Sequence, residues 1–241
     1  MKEATLSTIF ATCLIDALQP RLLASVRRVL ARSGVSATVA KGTTCCGQPA
    51  WNAGYATEAR RVATRTLRSL ARTTGPVIVP SGSCAAMVRH HWPDVFAGSP
   101  HEAAARAVAD RVHEFSELCM VDAPALDTTG AAPETIAYHA SCHLTRALRV
   151  GDGPRSLLER AGRVVVEPDG ADRCCGFGGT FSVKLPAVSI AMADEKLDAL
   201  QATGATTVTG CDLSCLIHLE GRAARRALPL QFLHIAEALD G

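Results

Sequence analysis

The chain has 241 residues, 48% of them hydrophobic and 20% charged, and carries a net charge of +2. That balance supports a normal packed core and excludes a disordered chain or a polycation built for nucleic acid. No apolar run is long enough to predict a transmembrane helix.

In chain order, residues 8–12 read as a short strand ending at Cys13. Residues 6–18 are apolar enough to suggest an export signal, but Glu3 follows Lys2 ahead of the run, Asp16 interrupts it and no small-residue cleavage site follows, so a cytoplasmic protein is expected. Residues 18–32 have helical periodicity, with Leu22, Val26, Val29 and Leu30 on one face, and Gly34 stops them. A strand over 35–40, a loop over 45–54, a helix over 58–72 and a buried strand over 76–80 follow. Segment 85–134 reads as a linker with one helix over 103–117 and loops marked by Pro93, Gly98, Pro100 and residues 128–133. Then come a strand (135–139), a helix (157–161), a strand (163–167), a Gly-rich loop (174–180), a helix (188–203) and a strand (206–209). Strands alternating with helices predict an α/β fold of parallel sheets flanked by helices, in which ligands sit beyond the carboxyl ends of the strands.

The order of elements repeats, and so do the cysteines. From Cys13 to Cys142, and from Cys45-Cys46 to Cys174-Cys175, the shift is 129 residues; from Cys84 to Cys215 it is 131. The flanks agree: Cys-Cys-Gly in the middle and Ser-Cys at the end of each set. The chain is therefore an internal duplication, two tandem pseudo-symmetric repeats expected over 1–130, with the linker helix, and 131–241. The halves differ in charge. Residues 1–120 hold fourteen Lys/Arg and eight Asp/Glu, and residues 121–241 hold eleven and fifteen. The Arg61, Arg65, Arg68 and Arg72 stripe reads as a solvated helix face or a dock for an acidic partner.

Ten cysteines in a reducing compartment point to metal or redox chemistry rather than disulfides. Cys13, Cys45, Cys46 and Cys84 form one set of four, and Cys142, Cys174, Cys175 and Cys215 the other. Four thiolates suit an iron–sulfur cluster or a structural zinc ion. Zinc sites favour short Cys-x-x-Cys knuckles, whereas these ligands spread over about seventy residues around a vicinal pair. Neighbouring thiols reach one small ion with strain but reach different irons of a cluster easily. Zinc and a dithiol redox pair stay open as alternatives. Cys119 reads as a buried small hydrophobe. Cys211 stays ambiguous, because its counterpart is Pro80. Phe177-Gly178-Gly179-Thr180 lacks the rest of a nucleotide-binding fingerprint and reads as a turn against the cluster. His139 and His143 flank Cys142 and read as a packed strand histidine and a helix-start residue; the first is also a minor candidate for a ligand or proton relay.

These motifs resemble the cysteine-rich CCG family. The stretches that carry the resemblance are 45–54 (Cys-Cys-Gly-Gln-Pro-Ala-Trp-Asn-Ala-Gly), 81–84, 138–142 and 174–182, together with the final 233–237. The family includes the B component of heterodisulfide reductase, the iron–sulfur subunits of glycolate oxidase and anaerobic glycerol-3-phosphate dehydrogenase, and the lactate-utilisation A proteins, which this chain resembles over essentially its whole length. The resemblance implies an electron-transfer subunit that works with two partner subunits in oxidising L-lactate to pyruvate. The wider family motif ends in Cys-x-x-Cys, whereas Ala85-Ala86-Met87 and Leu216-Ile217-His218 follow the last thiols here. Four ligands per repeat then fit two [4Fe-4S] clusters. A zinc-binding scaffold and a thiol/disulfide reductase are the rival expectations.

Overall fold

The computed structural model describes residues 6–119 and 134–240. The expected boundary at 130 and the loop expected over 128–133 lie outside the described residues. Two four-stranded, all-parallel sheets organise the chain. The first comprises β1 (Ser7–Ile9), β2 (Ala37–Val39), β3 (Val77–Val79) and β4 (Val112–Glu114), in the order β2-β1-β3-β4. The second comprises β5 (Thr135–His139), β6 (Val164–Val166), β7 (Thr207–Gly210) and β8 (Gln231–His234), in the order β6-β5-β7-β8. The central strands are buried, apart from Thr135 at the start of β5, as parallel strands covered on both faces must be.

Several elements differ from expectation. The helix expected over 18–32 runs over Leu22–Arg32, and a separate short helix, Cys13–Leu18, precedes it. Pro20 lies in the break, where the missing N–H and the fixed φ end the first helix. The loop expected over 45–54 contains a short helix, Gln48–Asn52, with Pro49 in its first turn. The linker helix expected over 103–117 is replaced by a helix Glu102–Ala109, strand β4 and a helix Phe115–Cys119. A three-residue strand is too short for periodicity to separate it from helix. In β4, Val112 and Glu114 face inward. The linker therefore completes the first sheet.

One apolar core runs through both repeats, joining Ile9, Leu30, Ile78, Trp92 and Phe115 to Ile136, Leu144, Leu158 and Ile235. A smaller one under the second sheet gathers Leu197, Val208, Leu216 and Leu219. Polar contacts tie the repeats together at the ends of the strands. The buried carboxylate of Asp212 accepts from Ser83 N at 2.7 Å, from Ser214 Oγ at 2.7 Å and from Ser81 Oγ at 3.4 Å. Arg28 forks onto Asp240, with Nε–Oδ1 at 2.9 Å, and holds the last helix against Leu22–Arg32. On the basic stripe, Arg65 donates to Gly42 O at 3.2 Å and Arg68 lies 3.5 Å from His101, both on exposed ground.

Candidate metal centre

In each repeat three chain segments deliver thiols to one place, beyond the carboxyl ends of the central strands. After β1 the chain turns into Cys13, which opens a helix; after β3, Cys84 sits in the helix Gly82–Ala86. In the second repeat Cys142 follows β5, and Cys215 lies in the helix Leu213–Arg225 after β7. The vicinal pairs arrive on the loops after β2 and β6. Ser81 and Asp212 cap the two thiol-bearing helices by accepting from Cys84 N and Ser214 N.

The thiols of the first set form a chain of contacts. Cys13 donates to Cys45, Cys46 also meets Cys45, and Cys46 Sγ lies 3.2 Å from Cys84 Sγ. These hydrogen bonds, with one from Gly47 N at 3.4 Å, hold the Cys45 thiol down at about 3. Its neighbours Cys13 and Cys46 are pushed up in turn, by donating to Cys45 and by burial. The second set repeats the pattern. Cys174, bonded by Cys142, Cys175 and Gly176 N, is held at about 2, while Cys142 and Cys175 are pushed up. A stabilised thiolate at the same position of both repeats suits a site built to hold positive charge.

The glycine of each Cys-Cys-Gly turn has φ +89°, which aims its N–H at the sulfur of the first cysteine, 3.4 Å away, and packs its Cα toward the next helix. A Cβ at Gly47 would sit 2.8 Å from Ala59 O, and one at Gly176 would sit 2.6 Å from Ser189 O. Each glycine also lets the loop press on a helix further along the chain. Gly47→Ala or Gly176→Ala should cost ~3 kcal/mol in urea unfolding, left-handed strain plus overpacking. Gly54→Ala, at φ +83° with open space around it, should cost only ~1 kcal/mol. Trp92 Nε1 donates to Cys46 O at 2.9 Å and Thr66 Oγ1 to Cys45 O at 3.1 Å, fixing the vicinal pair from behind.

The repeats complete each other. A cavity of about 100 Å³ beside Cys13, Cys45, Cys46 and Cys84 is closed by Phe177, Gly179, Leu213 and Ser214 of the second repeat. Cys174 opens onto a wider cleft shared with Asn52 and Ala53 of the first. The soft sulfur donors, and the absence of any carboxylate from the described lining of the first cavity, fit an iron–sulfur cluster or zinc and not a hard cation.

The sequence matches the family described as the CCG cysteine-rich domain over residues 7–89 and again over 136–220. The chain belongs to the CCG family. Its family stretches hold all eight paired thiols, with two copies in tandem. Lactate utilization protein A of Geobacillus kaustophilus is 40% identical over 236 residues, 97% of this chain and 98% of that protein. The protein of the same name from Bacillus pumilus is 38% identical over 96% of this chain and 98% of its own length. Lactate utilization protein A 2 of Bacillus cereus strain 03BB102 is 36% identical, with 96% of each chain covered.

The remaining candidates fall apart from one another. Cys119 and Cys211 join neither CCG thiol group. Cys119 is buried and pushed up to about 12 by burial. Cys211 lies 3.8 Å from the Tyr138 hydroxyl in the seam between the repeats. His143 bridges toward Cys142 Sγ at 3.7 Å and Gln48 Nε2 at 3.3 Å. His139 is packed at the end of β5 as its strand context predicts, and one of its ring nitrogens and the sulfurs of Cys175 and Cys215 all lie within 4.8 Å of one another. The signal that could have raised its weight is its counterpart in the first repeat, Phe10, an apolar residue where a buried strand end calls for one. Among the described residues no helix is long and apolar enough to cross a membrane.

Proposed function

We propose that each repeat holds one [4Fe-4S] cluster on its four thiolates, and that the protein passes electrons within a cytoplasmic complex that oxidises L-lactate to pyruvate. The observation that carries the reading is the convergence of four thiols in each repeat at equivalent places. The ligands would be Cys13, Cys45, Cys46 and Cys84 for one cluster, and Cys142, Cys174, Cys175 and Cys215 for the other. The name of the relatives, lactate utilization protein A, supports the substrate. When bound, such a cluster takes up and gives back one electron at a time.

The chain's own residues then have defined tasks. Gly47 and Gly176 offer backbone N–H groups to the Cys45 and Cys174 sulfurs, stabilising their negative charge. Trp92 and Thr66 lock the first vicinal pair, and Ser189 bonds Gly176 O at 2.8 Å behind the second. Phe177 and Leu213 supply apolar wall to the cavity beside the first centre. Removing hydrogen from lactate carbon calls for a two-electron acceptor and a base. The described residues beside the first thiol group supply neither, so that step belongs to partner subunits, of which we propose two.

Anaerobically reconstituted protein should carry about eight irons with matching acid-labile sulfide. Stoichiometric zinc without sulfide would refute the cluster reading. The cluster-loaded subunit alone should not reduce a dye with L-lactate, and the assembled complex should. Turnover by the lone subunit would make this chain the catalytic one.

A further inference from the structure

His139 ends strand β5 and is 1% exposed. Neither of its ring nitrogens has a hydrogen-bond partner among the described residues. Leaving a buried polar atom unsatisfied costs roughly 1–3 kcal/mol, so a ring held this way is expected to have a partner that the described residues do not supply. Among the described residues, ligand atoms gather around it toward the second thiol group, where the imidazole, Cys175 and Cys215 offer atoms within 4.8 Å of one another.

The duplication isolates this feature. The first repeat reads Phe10-Ala11-Thr12-Cys13 where the second reads His139-Ala140-Ser141-Cys142. Backbone course, small residue, hydroxyl and thiol are kept, and only the ring changes. Phe10 is fully buried and has no donor atom. The first site therefore offers four sulfurs, and the second offers four sulfurs and a nitrogen.

We infer that His139 is a nitrogen ligand of the second centre, so that the two centres of this protein are different in kind. The inference rests on the iron–sulfur reading above and extends its ligand set for the second centre, where five donors shared among four irons would give one iron two of them. An imidazole binds as a neutral donor, so it adds a ligand without the negative charge of a fifth thiolate. Ligand charge is one of the main settings of cluster potential. The two centres are therefore reduced at separate potentials, which orders electron flow through a molecule whose repeats are otherwise alike.

The test uses the full chain, reconstituted anaerobically and reduced, with [15N]histidine incorporated. Pulsed electron paramagnetic resonance should show a strong coupling from a directly bonded nitrogen on one of two cluster signals. His139→Gln should remove that coupling, shift the midpoint potential of that signal and leave the other unmoved. His143→Ala and His218→Ala should retain it. The unmoved first signal shows that the variant is folded. Two cluster signals with iron and sulfide in full, but no strong nitrogen coupling in the wild type, would overturn the inference while leaving the cluster reading intact. Absence of iron and sulfide would overturn both.

Discussion

Replacing Cys46 or Cys175 by Ser should each remove about half of the iron and labile sulfide, and the loss should fall on one cluster signal only. Both thiols are 2% exposed and sit in the middle of their contact chains, Cys46 against Cys45 and Cys84, and Cys175 against Cys174 and Cys215. A serine oxygen is a harder donor and holds its proton far more tightly, so it does not stand in for a thiolate toward iron. The serine also fits the space of the thiol, which separates ligand loss from misfolding. Cys119→Ser and Cys211→Ser, equally buried, should keep nearly all of the iron. Colorimetric iron and sulfide assays on anaerobic preparations decide it. If Cys211→Ser emptied a whole centre, the proposed ligand set of the second repeat would be wrong.

What the sequence revealed here came from repetition rather than from local pattern. The offset shared by Cys13, the vicinal pair and Cys84 marks two equivalent units independently of any element, and the alternation of strands with helices predicts the parallel sheets. Features set by packing were hidden. Strand β4 has three residues and no period of its own, so Val112 and Glu114 read as helix until the sheet edge at β3 is there to pair with them. Gly47 and Gly176 were recognisable as turn residues, but the Ala59 and Ser189 carbonyls they touch lie one helix further on. His139 reads locally as a packed strand histidine; its place beside the thiols has no local sign, and only comparison with Phe10 across the duplication marks it. The Asp212 link to Ser81 and Ser83 spans the two repeats and has no equivalent at either position alone. Glu114 is the furthest from sequence reasoning, because a glutamate in a polar linker gives no hint of complete burial.

That burial sets up a pH-dependent stability centred on a single carboxyl. Glu114 is fully buried at the end of β4, where its Oε2 accepts from Ser116 N at 2.8 Å and from the Ser116 hydroxyl. Burial is the largest influence and pushes its carboxyl up to about 8; the Ser116 hydrogen bonds oppose it, and the Glu117 and Asp212 charges add to it. In the unfolded chain the same group titrates near 4.5. Between those values the folded protein keeps a proton that the unfolded chain has released. Stability contributed by the neutral acid is therefore complete below about pH 4.5 and is lost as pH rises through about 8. The full span is on the order of 5 kcal/mol, at about 1.4 kcal/mol for each tenfold difference in proton affinity between the two states. Glu114→Gln keeps the size and polarity of the side chain but cannot ionise. Near pH 5 the variant should unfold in urea close to wild type. As pH is raised to 9, wild type should weaken while the variant holds, leaving the variant the more stable by several kcal/mol. A wild-type-to-variant difference that stayed constant over that range would mean that Glu114 is ionised in the folded protein, with water or a cation reaching the seam between the repeats.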